Sequence, residues 1–246
     1  MMKYCSRTAL AVSSAFFIVW CTTVAAGNVN ITADKPFVEI KHQGEIIKIQ
    51  RIQDERNVID GGFAKTSRKC PPFCIQPMHV APGVTTIGEL ELLDFIETKL
   101  ADGSGVLIDA RTPKWHEKGT IPGSINIPFT TFDLATSDRD LVDAMKTLGV
   151  TRRKYNGGIL TELWVNVKDI TGIEKRNTSP WDFSNAKELA LWCNGMWCGQ
   201  SPRAIKALLK LNYPPEKINY YRGGMQAWQI LGLSVVVPGT TNIVSR

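Results

Sequence analysis

From Thr85 onward, short apolar runs alternate with amphipathic segments. The apolar runs 105–109, 189–192 and 218–221 predict buried strands, because continuous apolar runs of this length are typical of strands covered on both faces. Strands separated by helices are typical of a parallel sheet with helices on each side. The predicted fold class is therefore α/β, with a doubly wound parallel sheet.

Apolar side chains between these strands recur at helical spacing. The predicted helices are one after Thr86 with Leu90, Leu93, Ile96 and Leu100 on its apolar face, one within 131–148, one from Ser201 through Leu211, and one after Gly223-Gly224 through Trp228. Ser201 suits the N-cap position and Pro202 the first turn of the third helix. The polar stretch 149–185 contains one candidate strand, at 163–167.

Residues 27–84 are predicted to form an N-terminal extension. Apolar and polar positions alternate in 37–41, a turn follows at 42–44, and a second run continues through 46–50, which predicts a β-hairpin. A polar stretch from 53 to 69 leads into Cys70-Pro71-Pro72-Phe73-Cys74, where two prolines exclude regular structure. The alternating region is predicted to span 85–238, followed by a tail at 239–246.

The first 26 residues have the three-part pattern of a secretory signal peptide. Lys3 and Arg7 precede an uncharged apolar segment, which ends in the small residues Ala25 and Ala26. An uncleaved anchor is the alternative, but the segment is short for a spanning helix, which needs about 20 residues. We expect cleavage, export to the periplasm or the medium, and no stable membrane span in the mature chain.

The overall composition is that of a globular protein. The chain has 246 residues, of which 43% are hydrophobic and 21% charged, which excludes collagen-like, coiled-coil and wholly disordered chains. The formal net charge of +6 is spread along the sequence without a dense basic run. No nucleic-acid partner is therefore expected.

Removal of the signal peptide leaves four cysteines in two close pairs, Cys70 with Cys74 and Cys193 with Cys198. Disulfides persist in exported proteins, so a local structural disulfide between Cys70 and Cys74 is predicted. Four thiolates could also form a zinc site, but neither pair has the usual C-x2-C spacing. We predict no metal and no organic cofactor.

Cys193 is the strongest candidate for a reactive residue. It follows the apolar run 189–192, and a glycine-bearing loop leads from it into the helix that starts near Ser201. Backbone N–H groups of such a loop, together with the helix dipole, form an anion site that lowers a thiol pKa and stabilises the reactive thiolate. Alternatively, Cys193 is a buried strand residue and the loop is only a connection.

Two further segments resemble the rhodanese family. The family's first pattern, D-x-R followed by G-H-I-P-G-A-x-x-x-P, is similar to Asp109-Ala110-Arg111 together with residues 119–128 (GTIPGSINIP). Its closing pattern, G-G-x-x-x-W, is similar to residues 223–228 (GGMQAW). The loop after Cys193 falls between them in the expected order, and the resemblance covers about residues 86–236. It implies a doubly wound α/β fold and sulfur transfer through a cysteine persulfide.

The loop itself departs from the family pattern C-x-x-G-x-R followed by Ser or Thr. Cys193 and Ser201 are two residues further apart, and Gln200 takes the arginine position when Ser201 is aligned. A second register would place the nucleophile at Cys198, away from the end of the strand. We prefer Cys193. Neither register gives the C-x5-R motif of the phosphatases and arsenate reductases that share the fold.

Cys198 lies five residues after Cys193, on the same loop. It is predicted either to resolve a Cys193 persulfide or to protect the nucleophile by reversible oxidation. The alternative is a static disulfide between the two, which would leave the loop without chemistry.

The other candidate site residues belong to the loop, its helix and the first motif. Candidates for substrate binding are Asn194, Gly195, Met196, Trp197, Gly199, Gln200, Ser201 and Arg203. We expect Arg203 to attract an anion such as thiosulfate, and Asn194, Gln200 and Ser201 to provide polar contacts at the pocket rim. Trp192 and Trp197 form either an apolar wall or part of the core. Supporting residues are Asp109 and Arg111, predicted to form a structural ion pair or to orient the loop rather than to act on substrate, and His116 is predicted to lie at the surface.

The function predicted from the sequence is that of an exported sulfurtransferase. A small anionic sulfur donor and a thiol acceptor or reductant protein are the expected partners. The alternatives are a thiol–disulfide oxidoreductase that uses Cys193 and Cys198, and a non-catalytic binding module.

Overall fold

The structure, a computed structural model, describes residues 29–153, 179–239 and 243–244. The predicted signal peptide and the candidate strand at 163–167 lie outside these ranges. The strands are β1 (Phe37–His42), β2 (Glu45–Gln50), β3 (Thr85–Ile87), β4 (Gly105–Asp109), β5 (Ile125–Asn126), β6 (Thr151–Arg152), β7 (Trp181–Asp182), β8 (Glu188–Trp192), β9 (Ile218–Tyr221), β10 (Val235–Val236) and β11 (Ile243–Val244).

Five α-helices accompany these strands in the described residues. They are α1 (Glu89–Phe95), α2 (Pro113–His116), α3 (Arg139–Thr147), α4 (Gln200–Lys210) and α5 (Gly224–Ile230). A π-helical turn, Ile96–Leu100, extends α1, and short 3₁₀ turns lie at Gly61–Phe63, Thr131–Asp133 and Pro215–Lys217. Among the described residues, none of the helices has the length and apolar character that a membrane crossing requires.

A five-stranded parallel sheet forms the centre of the fold, in the order β3-β9-β8-β4-β5. Alternate side chains of each strand point to opposite faces. Val106 and Ile108 of β4 pack with α3 and α4, whereas Leu107 packs with α1 and α5. Both faces are therefore covered, and the predicted doubly wound α/β fold is confirmed.

The predicted N-terminal hairpin is also present, as β1 and β2. Its alternating positions bury one apolar face, Val38, Ile40, Ile47 and Ile49, in the same core cluster as α1 and α5. Each buried aliphatic side chain stabilises the fold by about 1.5–3 kcal/mol. Backbone hydrogen bonds between the end of the hairpin and residues 232–234 add to this attachment, so the hairpin packs as part of the domain.

The structure differs from the sequence-based predictions at two places. The segment after Thr86 belongs first to an edge strand, β3, and the helix then buries Leu92 and Leu93 while Leu90 is 54% exposed. The helix predicted within 131–148 is confirmed as α3, which begins at Arg139 because Asp138 accepts a hydrogen bond from the Asp140 N–H and so caps it. The two-residue strand β5 was not predicted.

Candidate active site

The loop 193–199 lies at the carboxyl edge of the sheet, between β8 and α4. Its backbone is attached to α5, since the carbonyls of Cys193 and Asn194 accept hydrogen bonds from the N–H groups of Met225 and Gln226, at 2.9 and 3.0 Å. Gly224 makes this approach possible: its φ is +55°, and a Cβ there would lie 2.2 Å from the Cys193 carbonyl oxygen. The G-G-x-x-x-W motif thus positions the loop.

Cys193 follows the last residue of β8 directly and is 2% exposed. The Ser201 hydroxyl donates a hydrogen bond to the Cys193 Sγ, at 3.0 Å, and the Cys193 Sγ is 3.2 Å from the Cys198 carbonyl oxygen. The sequence predicts Ser201 as a helix N-cap and rim residue, but α4 already begins at Gln200 and Ser201 is fully buried. Its hydroxyl is thus directed at the sulfur.

Two opposing effects determine the pKa of the Cys193 thiol. Burial raises this pKa. Hydrogen bonds from the Cys198 and Ser201 side chains and from the N–H groups of Ser201 and Gly195 outweigh burial and lower the pKa to about 7. The Cys198 carbonyl favours the neutral thiol, since it only accepts hydrogen bonds. The donors outnumber it, and the positive end of the α4 dipole adds to them. Cys193 is therefore suited to react as a thiolate.

The pKa of the Cys198 thiol is shifted in the opposite direction to that of Cys193, although both thiols are buried. The hydrogen bond that its thiol donates to Cys193 raises its pKa far above the ordinary value, and burial and the negative charge of Cys193 act in the same direction. The Cys198 thiol also lies 3.7 Å from the Gln200 side-chain oxygen. Both cysteines are free thiols in the structure. Cys198 therefore remains protonated beside an ionised Cys193.

Asp109 and Arg111 form a buried ion pair, with side-chain distances of 2.8 and 2.6 Å between paired atoms. Arg111 also donates to the Gly119 carbonyl, at 2.6 Å, and more weakly to the Asn194 side chain of the loop, at 3.4 Å. Burial acts to raise the pKa of Asp109, but hydrogen bonds from Arg111 and His116 lower it overall. The pair thereby connects β4 to the loop.

Two predicted placements in this region are wrong. His116 is not a surface residue: its Nδ1 lies 3.0 Å from Asp109, because α2 turns its side chain inward, where it is 18% exposed. Asn194 is 3% exposed and so lies behind the rim. Trp192 is fully buried in the core, beneath the Arg111 guanidinium.

The remaining candidates are divided between the loop surface and the outer face of α4. Met196 is exposed, and Gly199 and Gln200 are half-buried. Arg203 points to Asp133, with 2.7 Å between Nε and the carboxylate, and borders a groove of about 380 Å³ with Lys206 and Lys210. Because Asp133 offsets its charge, Arg203 is a weaker anion site than the sequence suggested.

The N-terminal extension covers the loop, which sequence reasoning did not predict. Phe63 packs on the cluster of Cys193, Trp197 and Cys198, and the Phe63 carbonyl accepts a 2.8 Å hydrogen bond from Gln226. Gln76 N–H donates to the Met196 carbonyl at 2.8 Å. Phe63, the only aromatic residue of the largely polar stretch 53–69, was the signal in the sequence. This cover contributes to the burial of Cys193.

The C-x3-C pair lies within the same covering segment. The Cys70 and Cys74 sulfurs lie at bonding distance, with the two Cα atoms 4.6 Å apart, a geometry that accommodates the predicted disulfide. Phe73, between them, contacts the Trp197 ring edge to face, with centroids 5.6 Å apart. Among the described residues, no group of three or more His, Cys, Asp or Glu side chains is arranged to hold a metal ion.

Comparison with known proteins gave a match to one family model, described as a rhodanese-like domain, over residues 91–231, more than half of the chain. Comparison with curated proteins gave no match. Similar solved structures include a human single-domain sulfurtransferase that shares 18% sequence identity with this chain. The match covers 59% of this chain and 95% of that protein, with a TM-score of 0.33.

Two other solved structures are similar to the same extent. A rhodanese-related protein from Thermoplasma volcanium has 22% identity, with 62% of this chain and 98% of the other covered and a TM-score of 0.31. An As-Sb reductase from Leishmania major has 18% identity, with 66% and 92% covered and a TM-score of 0.36. At these identities and TM-scores the neighbours carry no argument about activity, and family membership rests on the family model.

Proposed function

The chain belongs to the rhodanese-like domain family, and on this premise we propose that it is a sulfurtransferase with Cys193 as its nucleophile. One observation carries the proposal: four donors around the Cys193 sulfur lower the pKa of its thiol to about 7 although the group is buried. A thiolate at the end of a parallel strand, close to the N-terminus of α4, is poised to attack an electrophilic sulfur.

The proposed step conserves charge without a proton transfer. The Cys193 thiolate attacks the outer, sulfane sulfur of thiosulfate; a sulfur–sulfur bond forms to Cys193, the sulfur–sulfur bond of thiosulfate breaks, and sulfite leaves with the bonding electron pair. The negative charge now lies on the terminal sulfur of the persulfide. The N–H groups of Gly195 and Ser201 and the Ser201 hydroxyl are the donors available to stabilise it. A thiol acceptor then removes the terminal sulfur.

The experiment is persulfide mapping. The reduced protein is incubated with thiosulfate, the persulfide is trapped with an alkylating reagent, and peptides carrying Cys193 and Cys198 are analysed separately by mass spectrometry. We expect one additional sulfur on Cys193 in the wild type and in Cys198→Ser, and none in Cys193→Ser. No additional sulfur on any variant would refute sulfur transfer from thiosulfate and favour a binding module.

A thiol–disulfide oxidoreductase is the second candidate, because the two thiols of the loop are in contact. Its first step would require Cys193 to attack a partner disulfide and Cys198 to resolve the mixed disulfide. The raised pKa of Cys198 makes it a poor nucleophile beside an ionised Cys193, although a mixed disulfide on Cys193 would remove that charge. The contact therefore suits a resolving role better than that of a first nucleophile.

We also propose that the protein is exported and that a thiol acceptor or reductant protein completes the cycle. If Cys198 resolves the persulfide, the proton of its thiol passes to the terminal persulfide sulfur and the Cys198 sulfur attacks the Cys193 sulfur. Hydrosulfide leaves with the bonding electron pair, and a Cys193–Cys198 disulfide remains, which a dithiol reductant must reduce. The N-terminal sequence pattern supports export. Fractionation of cells that produce the full chain, with N-terminal sequencing of the mature protein, tests it, and an uncleaved cytoplasmic product would contradict it.

A further inference from the structure

The loop 193–199 holds no lysine or arginine, although thiosulfate and its sulfur-donor relatives are anions. The two arginines that the sequence suggested for the site are already paired with carboxylates. Arg111 is paired with Asp109 in the core, and Arg203 is paired with Asp133 at the surface. An anionic donor therefore needs a positive charge from another part of the chain.

Arg68, from the covering segment of the extension, brings a guanidinium to the loop. Its guanidinium carbon lies 3.7 Å from the centroid of the Trp197 ring. Trp197 in turn packs with Cys193 and Cys198 in one cluster. Arg68 is therefore separated from the nucleophile by a single layer of side chains.

The hydrogen-bonding capacity of Arg68 is only partly used. One terminal nitrogen donates to the Gly62 carbonyl, and the buried Nε has no partner among the described residues. No carboxylate of the described residues forms an ion pair with it. Burial also lowers the pKa of Arg68. A bound oxyanion would supply both the missing acceptor and the missing counter-charge.

We propose that Arg68 binds the oxyanion group of the sulfur donor at the entrance to the Cys193 site. Stacking on Trp197 fixes the plane of the guanidinium, and a planar fork of N–H donors suits a sulfonate group, whose oxygens can accept two hydrogen bonds at once. The N-terminal extension is thus part of the donor site. This inference rests on the proposed function and names the residue that selects for a dianionic donor.

The test compares two donors that deliver the same sulfane sulfur. Thiosulfate carries two negative charges; methanethiosulfonate carries one and has a methyl group in place of one oxygen, and it releases methanesulfinate in the same displacement. The rate constant for persulfide formation is measured with each donor for wild type, Arg68→Gln and Arg68→Lys. Arg56→Gln, which removes a charge from a 95% exposed side chain of the same extension, is the matched control.

We expect Arg68→Gln to slow the reaction with thiosulfate about tenfold or more and the reaction with methanethiosulfonate several times less, because a charge-assisted pair to one oxyanion is lost. Arg68→Lys, which keeps the charge and loses the fork, should be intermediate, and Arg56→Gln should match the wild type. An equal loss with both donors would show that Arg68 only braces Trp197, and this would overturn the inference.

The outcomes also separate the inference from the proposed function. Unchanged rates in both Arg68 variants, with an active wild type, would overturn only the role of Arg68. Failure of the wild type to form a persulfide with either donor would remove the proposed function and this inference together. The near-ultraviolet circular dichroism of the variants reports whether the Trp197 environment is retained, and Arg68→Lys preserves the test if Arg68→Gln does not fold.

Discussion

Ser201→Ala removes one of the donors that hold Cys193 as a thiolate. The hydroxyl lies 3.0 Å from the Cys193 sulfur and is completely buried, so water cannot readily replace it. A hydrogen bond to a charged acceptor contributes about 1.5–3 kcal/mol, and about 1.4 kcal/mol corresponds to a tenfold change in an ionisation equilibrium. Loss of the hydroxyl should therefore raise the pKa of Cys193 from about 7 to about 8–9.

The consequence is a slower reaction at neutral pH. At about pH 7 the ionised fraction of Cys193 should fall from about one half to about 1–10%, and persulfide formation should slow about fivefold to fiftyfold. The rates of persulfide formation in wild type and Ser201→Ala should become equal at alkaline pH, where both proteins carry the thiolate. The assay is a pH series of ultraviolet thiolate absorbance and of persulfide formation. Ser137→Ala, at an exposed serine, is the matched control. An unchanged midpoint in Ser201→Ala would refute the reasoning.

Substitutions at three other residues test the surroundings of the site. Asp109→Asn leaves the buried Arg111 without a counter-charge and should lower the free energy of unfolding by about 3 kcal/mol in urea denaturation at neutral pH. The pKa of Asp109 is lowered in the folded protein, so its contribution to stability is present above the unfolded pKa of about 4 and is lost as pH falls through the folded pKa. The difference in unfolding free energy between wild type and Asp109→Asn should therefore shrink in acid, and a difference that stays constant with pH would contradict this. Phe63→Ala should increase the alkylation rate of Cys193 severalfold, because Phe63 packs over the cysteine cluster, and an unchanged rate would show that the extension does not limit access. Cys198→Ala removes a thiol donor and should raise the Cys193 pKa, whereas Cys198→Ser keeps a donor and should restore part of the shift; equal titration of both variants and the wild type would exclude this hydrogen bond.

The central sheet was predictable because its strands are short apolar runs that are buried on both faces. The predicted bounds of β4 and β9 match the structure, and β8 begins one residue earlier than predicted. The edge strands β3 and β5 were missed, since strands of three and two residues provide too few positions for a periodic pattern. Leu90 was misplaced because its helix turns a different apolar stripe toward the core.

The candidate site was only partly predictable, because several of its contacts join residues that are distant in the sequence. Asp109 is the last residue of β4 and Cys193 directly follows β8, and the carboxyl ends of these neighbouring parallel strands meet at one edge of the sheet, so topology alone brings them together. The contacts of Phe63, Arg68 and Gln76 with the loop join residues more than 100 positions apart, and no local pattern encodes them. Ser201 was identified as a cap because its preference for helix starts is local, whereas its bond to the sulfur depends on the loop conformation.

Persulfide mapping after exposure to thiosulfate tests the central claim most directly. The account predicts the mass of one additional sulfur atom on the peptide that carries Cys193, in the wild type and in Cys198→Ser alike. Sulfur on Cys198 alone, with Cys193→Ser still active, would contradict the assignment of the nucleophile.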